Sequence, residues 1–369
     1  MYFLEIQGEK RMEYVHGGDI YTYKNVLDFS VNVNPFGPSE AVLKAARRGV
    51  CQAGTYPDSQ CRELRERLAE KLQVGESSLI AGNGAAELFF LLVLAEKPKK
   101  ALLAVPAFAE YEQALKTVDC EVEYYYLKKE QNFRITEEFV TAVEQEENCD
   151  LIFLCSPSNP AGQTIEPELL KKLVCLCEEK NIRLVLDECF IDFLEQPERY
   201  SMLRQVEQFK SLFLVRAFTK MHAIPGLRLG YGICSDQELL EKMYRMRQPW
   251  SVSGPAQAAG IAALDETARV EETRRFVQQE RKKLEQELER MGIRVIPSEA
   301  NFFLMYSELP LFELLLNEGI LIRNCENYRG LGKGWYRMAV RRKEENEIFL
   351  RRLVNVYKKR CNQFWNINE

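Results

Sequence analysis

The stretch that decides the fold is VRAFTKMHAIPGLRLGYG, residues Val215–Gly232. It begins in an apolar run that is typical of a buried strand and passes through Thr219-Lys220 to a Pro-Gly turn and Arg228. A lysine removed from water has a lowered pKa and can bond to a carbonyl carbon. A nearby arginine and hydroxyl can hold a phosphate. Although most lysines are simply solvated, Lys220 is therefore a candidate carrier of pyridoxal 5′-phosphate (PLP).

The composition limits the classes of protein that fit. The chain has 369 residues, 46% of them hydrophobic, which suits one large domain and a smaller one. The net charge of −5 gives no electrostatic reason to expect nucleic acid or membrane lipid as a partner. No apolar run reaches the roughly 18 to 20 residues that a membrane span needs.

Eleven cysteines and two histidines are scattered along the chain without a C-x-x-C pair. This spacing predicts no metal site. The odd number of cysteines, together with an N-terminus (Met1–Arg11) that does not resemble a signal peptide, favours reduced thiols and a cytoplasmic location.

Short apolar strands alternate with helices between Lys100 and Cys189. This pattern predicts an α/β fold with a mostly parallel sheet and helices on both faces. In such sheets, ligands bind beyond the carboxyl ends of the strands. Four side chains that follow predicted strands are therefore expected to meet in one site: Phe108, Asn159, Asp187 and Lys220.

These residue types suit PLP chemistry. A carboxylate such as Asp187 can keep the pyridine nitrogen protonated, which makes the ring an electron sink. Asn159 can donate to the phenolic oxygen of the ring, and Phe108 can lie on its face. An aspartate that caps a turn, a turn asparagine and a core phenylalanine are the structural alternatives.

A glycine turn leads into an apolar helix in the stretch AGNGAAELFFLL, which begins at Ala81. Free amides at a helix N-terminus bind phosphate readily. The predicted ligands of the cofactor phosphate are Gly84, Ala85, Ala86, Thr219 and Arg228. A turn of this kind is equally compatible with a tight connection that binds nothing.

Three longer motifs carry a family resemblance: SPSNPAG from Ser156, LDECFIDF from Leu186 and TKMHAIPGLRLGYG from Thr219. With these motifs the chain resembles the fold-type-I PLP enzymes of the aspartate aminotransferase superfamily over essentially its whole length. Within the superfamily it resembles the histidinol-phosphate aminotransferases and, more closely, the threonine-phosphate decarboxylases of cobalamin biosynthesis. The closer likeness rests on four stretches: HGGD from His16, DFSVNVNPFGP from Asp28, AGNGAAE from Ala81 and IRNCENYRGLGKGWYRMAVR from Ile322.

The resemblance implies an N-terminal arm (residues 1–38), a large PLP-binding domain (39–265) and a smaller α+β C-terminal domain (266–369). It implies that Lys220 holds the cofactor and that Asp187 is the partner of its pyridine nitrogen. Asn159, Phe108, Thr219 and Arg228 match residues that contact the cofactor in relatives. Tyr56 matches a tyrosine that reaches the cofactor phosphate of the neighbouring subunit, so a homodimer with shared sites is expected.

The implied substrate is a small phosphorylated amino acid. Arg337 matches the arginine that binds the substrate α-carboxylate in aminotransferases. Arg323, with His16 and Asn32, is expected to contact the substrate, with Arg323 as the partner of its phosphate.

The expected reaction is decarboxylation of L-threonine O-3-phosphate to 1-amino-2-propanol O-phosphate. The alternative is a histidinol-phosphate-type or other class I/II aminotransferase. A PLP-binding regulator is a third reading, but it would need a DNA-binding helix-turn-helix, and none is apparent in the sequence.

Two positions depart from the pattern of the family. Phe190 stands where many relatives have a tyrosine that donates to the cofactor oxygen, and this favours the decarboxylases. Ala217 stands where relatives usually carry a hydroxyl, which removes a phosphate hydrogen bond of about 1–2 kcal/mol.

Overall fold

The computed structural model describes residues 16–365, with side chains through residue 358. The predicted lack of a signal peptide at Met1–Arg11 lies outside the described residues. The strands of the described region are β1 (Leu27–Asp28), β2 (Leu79–Gly82), β3 (Lys100–Val105), β4 (Glu121–Tyr126), β5 (Leu151–Cys155), β6 (Arg183–Asp187), β7 (Leu212–Ala217), β8 (Gly230–Ile233), β9 (Arg294–Ile296), β10 (Phe302–Tyr306), β11 (Ile320–Leu321), β12 (Arg323–Asn324) and β13 (Trp335–Ala339).

Helices cover most of the connections between these strands. They are α1 (Glu40–Cys51), α2 (Arg62–Leu72), α3 (Gly84–Glu96), α4 (Ala109–Lys116), α5 (Glu137–Gln145), α6 (Pro167–Glu179), α7 (Pro197–Tyr200), α8 (Phe218–Met221), α9 (Gln237–Met246), α10 (Gly254–Ala263), α11 (Thr267–Arg290), α12 (Leu311–Asn317) and α13 (Lys343–Trp365). Short 3-10 turns lie at Glu76–Ser78, Lys129–Gln131, Ile191–Phe193, Leu203–Gln208 and Pro225–Leu227.

Seven strands form the central sheet in the order β2-β8-β7-β6-β5-β3-β4. The strands β3 to β7 are parallel, whereas β8 runs antiparallel to both β7 and β2. Inner strands such as β5, with the sequence LIFLC, are apolar because both of their faces are covered. The edge strand β4 has only exposed and half-buried residues. The predicted α/β fold with a mostly parallel sheet is confirmed.

The two faces of the central sheet pack into separate apolar clusters. Leu184, Leu186 and Leu214 face one cluster, while their chain neighbours Val185 and Val215 face the other. This alternation follows from the two-residue period of a strand. The carboxyl ends of β5, β6 and β7 therefore project together from one edge of a rigid sheet.

A smaller antiparallel sheet has the order β12-β13-β10-β9, which confirms the predicted α+β C-terminal part. The N-terminal segment is joined to this part because β1 pairs in parallel with β11, and because the amide of Ala339 donates to the carbonyl of Phe29 at 2.8 Å. The sequence of Ile320–Arg323 alone predicts one strand, but the structure divides this stretch, since β11 pairs with β1 while β12 pairs with β13. The charge pattern of Thr273–Met291 predicts a long helix over those residues, and the observed helix α11 begins earlier, at Thr267.

Candidate active site

A cavity of about 620 Å³ lies beyond the carboxyl ends of β5, β6 and β7 and is lined by residues of both sheets. Most of the predicted site residues line it: His16, Asn32, Ala85, Ala86, Phe108, Asn159, Asp187, Thr219, Lys220, Arg228, Arg323 and Arg337. Gly84 lies directly beside this lining, at the start of α3. Tyr56 does not line the cavity.

Lys220 enters the cavity from α8, which directly follows β7. Burial lowers the pKa of Lys220 from its ordinary value, and Arg337 adds to the decrease, while Cys189 and Asp187 oppose it. Its Nζ lies 5.3 Å from the centre of the Phe190 ring. The neutral amine is the nucleophilic form of a lysine, so this environment prepares Lys220 to attack a carbonyl carbon.

The N-terminal segment holds the turn that presents Lys220. The amide of Asn34 donates to the carbonyl of Lys220 at 2.9 Å. Its side-chain amide donates to the carbonyl of Met221 at 2.8 Å and to Oγ1 of Thr273 at 2.9 Å. Asn34 is buried, so these bonds are shielded from water and fix the backbone around Lys220.

Asp187 ends β6 with both carboxylate oxygens in hydrogen bonds. Oδ1 accepts from the amide of Cys189 at 2.8 Å, and Oδ2 accepts from the hydroxyl of Tyr111 at 2.6 Å. The adjacent Glu188 turns away from this arrangement and binds Arg216 at 2.8 Å. Of the two neighbouring acids, Asp187 is the one that reaches the cavity.

An anion cradle lies where β2 leads into α3. Gly84 has φ +79°, and a Cβ added there would come within 2.5 Å of Nη2 of Arg228. A Cβ on Gly230 would come within 2.6 Å of the amide nitrogen of Ala85. Glycine at both positions therefore allows the guanidinium of Arg228 and the backbone at Gly230 to lie close to the free amides at the start of α3. Thr219 lines the same cavity. This donor set fits the phosphate of PLP.

Arg337 projects into the cavity from β13 and is firmly held there. Its Nη2 donates to the carbonyl of Ser30 at 3.0 Å, and its Nη1 donates to Oδ1 of Asn159 and lies 3.3 Å from the hydroxyl of Tyr328. Because Oδ1 of Asn159 is occupied, the side-chain NH₂ of Asn159 is the group left to donate to a ligand.

A second fixed arginine, Arg323, comes from β12. Its guanidinium donates to the carbonyl of Asn324 at 2.7 Å and to Oδ1 of Asn327 at 2.9 Å. Asn32 lies in the same lining, and its buried Oδ1 has no hydrogen-bond partner in the described structure. The cavity thus has a second polar end, separate from the cradle at α3.

Phe108 lines the cavity at the N-terminus of α4. Tyr56 instead has an exposed side chain, stacked on Trp250 with 4.4 Å between the ring centres. The side chains described, those of residues 16–358, include no group of three or more His, Cys, Asp or Glu arranged to hold a metal ion. Among the described helices, none has the length and apolar character to cross a bilayer.

Sequence reasoning missed four residues of this site: Asn34, Glu110, Tyr111 and Tyr328. Glu110 and Tyr111 lie in the first turn of α4, just after the strand end at which Phe108 was predicted. Ligands bind beyond the carboxyl ends of strands, so including the helical turn after β3 in the predicted site would have found both residues. Tyr328 lies within the stretch that carried the family resemblance.

Comparison with known proteins identifies the family. The model of the aminotransferase class I and II family matches residues 24–353. The chain is 36% identical over 353 residues to the threonine-phosphate decarboxylase of Salmonella typhimurium, covering 92% of this chain and 96% of that protein.

Two solved structures show the same fold. One is a histidinol-phosphate aminotransferase from Clostridium acetobutylicum, with 33% identity, a TM-score of 0.84, and coverage of 90% of this chain and 100% of that one. The other is an L-threonine-O-3-phosphate decarboxylase from Porphyromonas gingivalis, with 25% identity, a TM-score of 0.79, and coverage of 89% and 99%. The predicted fold-type-I architecture and the predicted cofactor are confirmed. The chain is a PLP-dependent enzyme of the class I and II aminotransferase family.

Proposed function

We propose that this enzyme decarboxylates L-threonine O-3-phosphate to 1-amino-2-propanol O-phosphate, a step of cobalamin biosynthesis. One observation carries the proposal: a single cavity combines a cradle for the cofactor with a second end at which two arginines, Arg323 and Arg337, are fixed. Two arginines suit a substrate with two anionic groups, a carboxylate and a phosphate. The likeness to threonine-phosphate decarboxylases supports the same assignment.

The cofactor end is assigned as follows. Lys220 would hold PLP covalently, Asp187 would pair with its pyridine nitrogen, and Asn159 would donate to its phenolic oxygen. Phe108 lies against the ring. The phosphate is bound by Thr219, Arg228 and the amides of Gly84, Ala85 and Ala86. When bound, PLP supplies an electron sink for the pair left at the α-carbon as a bond to that carbon breaks.

The substrate end orients the bond that breaks. Arg337 is proposed to bind the α-carboxylate, while Arg323, His16 and Asn32 bind the phosphate. Anchoring both anions would fix the orientation of the α-carbon and so decide which of its bonds can break. Lys220, whose pKa is lowered by burial, can hold or release a proton at Nζ beside the α-carbon.

A histidinol-phosphate aminotransferase is the second candidate, favoured by the solved structure from Clostridium acetobutylicum. The two functions would use the same cofactor end. They differ in which α-carbon bond breaks, Cα–COO⁻ for decarboxylation and Cα–H for transamination.

The products distinguish the two candidates. We expect PLP-loaded enzyme to release CO₂ from threonine phosphate, and to release far less from L-threonine, which lacks the phosphate. The Lys220→Ala variant serves as the inactive control. Absence of CO₂ release, together with glutamate formation from histidinol phosphate and 2-oxoglutarate, would contradict the decarboxylase assignment.

We also propose that the enzyme is a cytoplasmic homodimer with the arm and domain boundaries given above. The exposed Tyr56–Trp250 pair supports the dimer, because an exposed stacked aromatic pair is suited to an interface. The ten cysteines whose side chains the structure describes are all free thiols, in keeping with a reducing compartment.

A further inference from the structure

Glu110 is an acidic side chain in the same cavity as several cations. It lies in the first turn of α4, and its side chain is 15% exposed. It shares the cavity lining with Lys220, Arg323 and Arg337. None of the assigned roles of the site uses this carboxyl group.

The two oxygens of Glu110 have different surroundings. Oε1 lies 3.5 Å from Nδ1 of His16. Oε2 is buried and has no hydrogen-bond partner within the described structure. An ionised oxygen in that position is costly, because burial removes water without supplying a donor. The local geometry therefore favours the protonated acid.

The charged and titratable neighbours of Glu110 come from several elements: His16, Lys220, Arg323, Tyr328 and Arg337. Burial raises the pKa of Glu110 to about 7, although its own backbone hydrogen bond and the three cations act in the opposite direction. Burial and the same two arginines lower the pKa of His16. At neutral pH, Glu110 is thus balanced between its two forms by the cations that face it.

We infer that Glu110 couples anion binding at the substrate end to the uptake of one proton. The inference rests on the proposed function, because it places the substrate phosphate near Arg323 and His16. An anion bound there offsets the arginine charges that favour the carboxylate and adds a negative charge close to it. One O–H bond forms with a proton from solvent, no other bond changes, and a neutral acid then stands beside the anion.

A non-titrating ligand tests this inference. Isopropyl sulfate is a monoanion throughout the working range and has no amino group, so its binding to PLP-loaded enzyme reports anion recognition without turnover. Above the pKa of Glu110, we expect calorimetry to show its affinity falling by up to about tenfold per pH unit, because the free carboxylate must first be protonated. Protonation of His16 affects the profile at lower pH, since its pKa is lowered.

Glu110→Gln separates this effect from others. The amide is permanently neutral, so we expect an affinity that changes less than about twofold over the same range. Calorimetry in two buffers of different ionisation enthalpy should show uptake of close to one proton per ligand for the wild type above neutral pH. It should show almost none for Glu110→Gln.

Glu112→Gln is the matched control on the same helix. Glu112 binds Lys116 at 3.0 Å and Arg329 at 3.4 Å, and these contacts lower its pKa despite burial, so it is ionised throughout. This variant should keep the pH slope of the wild type. If the affinity of Glu110→Gln for isopropyl sulfate falls with pH as steeply as that of the wild type, the inference is overturned and the proposed function is unaffected. If the wild type binds neither isopropyl sulfate nor isopropyl phosphate, both the inference and the proposed function are overturned.

Discussion

The hydroxyl of Tyr111 donates a 2.6 Å hydrogen bond to Oδ2 of Asp187. Burial raises the pKa of Tyr111 well above its ordinary value, and the neighbouring Asp187 and Cys155 raise it further, so Tyr111 remains a donor. With the amide of Cys189 bound to Oδ1, the carboxylate is held from two sides. Asp187 is thus oriented before any ligand enters.

Tyr111→Phe tests whether this orientation matters. Removing one partner of a buried, charged hydrogen bond should lower the free energy of unfolding by about 1.5–3 kcal/mol. It should also weaken PLP binding, because Asp187 can then rotate. Urea unfolding and equilibrium dialysis measure the two effects. Tyr125→Phe, on β4 and outside the cavity lining, is the control and should change neither quantity appreciably.

Gly84→Ala tests the anion cradle. The left-handed φ of +79° costs an alanine about 1–2 kcal/mol, and the new Cβ would displace the guanidinium of Arg228. We expect PLP affinity to fall at least about tenfold. Gly226→Ala is the matched control, because a Cβ there meets no atom within 4 Å. Equal PLP affinity in the two variants would argue against a phosphate site at α3.

The sequence predicted the parts of the site that depend on local order. Asp187 ends a strand, and Phe108, Asn159 and Lys220 each follow one, so a parallel sheet brings all four to one edge. Contacts between distant segments were not predictable. Tyr111 is 76 residues from Asp187 in the chain, and Asn34 is 187 residues from Met221.

The same distinction applies to the fold. The apolar strands and intervening helices predicted the parallel sheet, because burial on both faces leaves a local signature. The pairing of β1 with β11 left no such signature, since each strand has only two residues and depends on its partner. That pairing brings the N-terminal segment to Arg337, whose Nη2 donates to the carbonyl of Ser30.

The lowered pKa of Lys220 predicts a pH-dependent stability of the apoenzyme. The folded state binds the lysine proton less tightly than the unfolded chain. Lys220 is therefore destabilising at neutral pH, and the penalty disappears as pH rises towards the ordinary lysine pKa of about 10.4. Urea unfolding of apoenzyme at pH about 7 and about 9.5 should show the wild type gaining stability relative to Lys220→Met. A constant difference would contradict the buried environment of the amine.

Lysine substitutions can distinguish the two arginines. Arg323→Lys should raise the KM for threonine phosphate by about tenfold to a hundredfold, because a lysine cannot reproduce a two-pronged contact with phosphate. It should leave inhibition by L-threonine nearly unchanged. Arg337→Lys should weaken both ligands, since each has the α-carboxylate. If Arg337→Lys instead affects only threonine phosphate while Arg323→Lys weakens both ligands, the phosphate is bound by Arg337.

Tyr56 provides a test of shared sites. Its side chain is 76% exposed and outside the cavity lining, as expected for a residue that serves the site of a neighbouring subunit. Tyr56→Ala should weaken PLP binding while Lys220 remains able to bond to the cofactor. Sedimentation should show the wild type as a dimer.

Mixing the two defective variants at a PLP concentration too low to fill the Tyr56→Ala site makes the test decisive. In a heterodimer of Tyr56→Ala and Lys220→Ala, one site contains both substitutions. The other site is intact, with Lys220 from one subunit and Tyr56 from its partner. Unfolding and refolding the two variants together should therefore restore about a quarter of wild-type activity, because half of the random dimers are mixed and each has one intact site. Mixing without refolding is the control. If refolded mixtures give only the average of the two variants, Tyr56 acts within its own subunit.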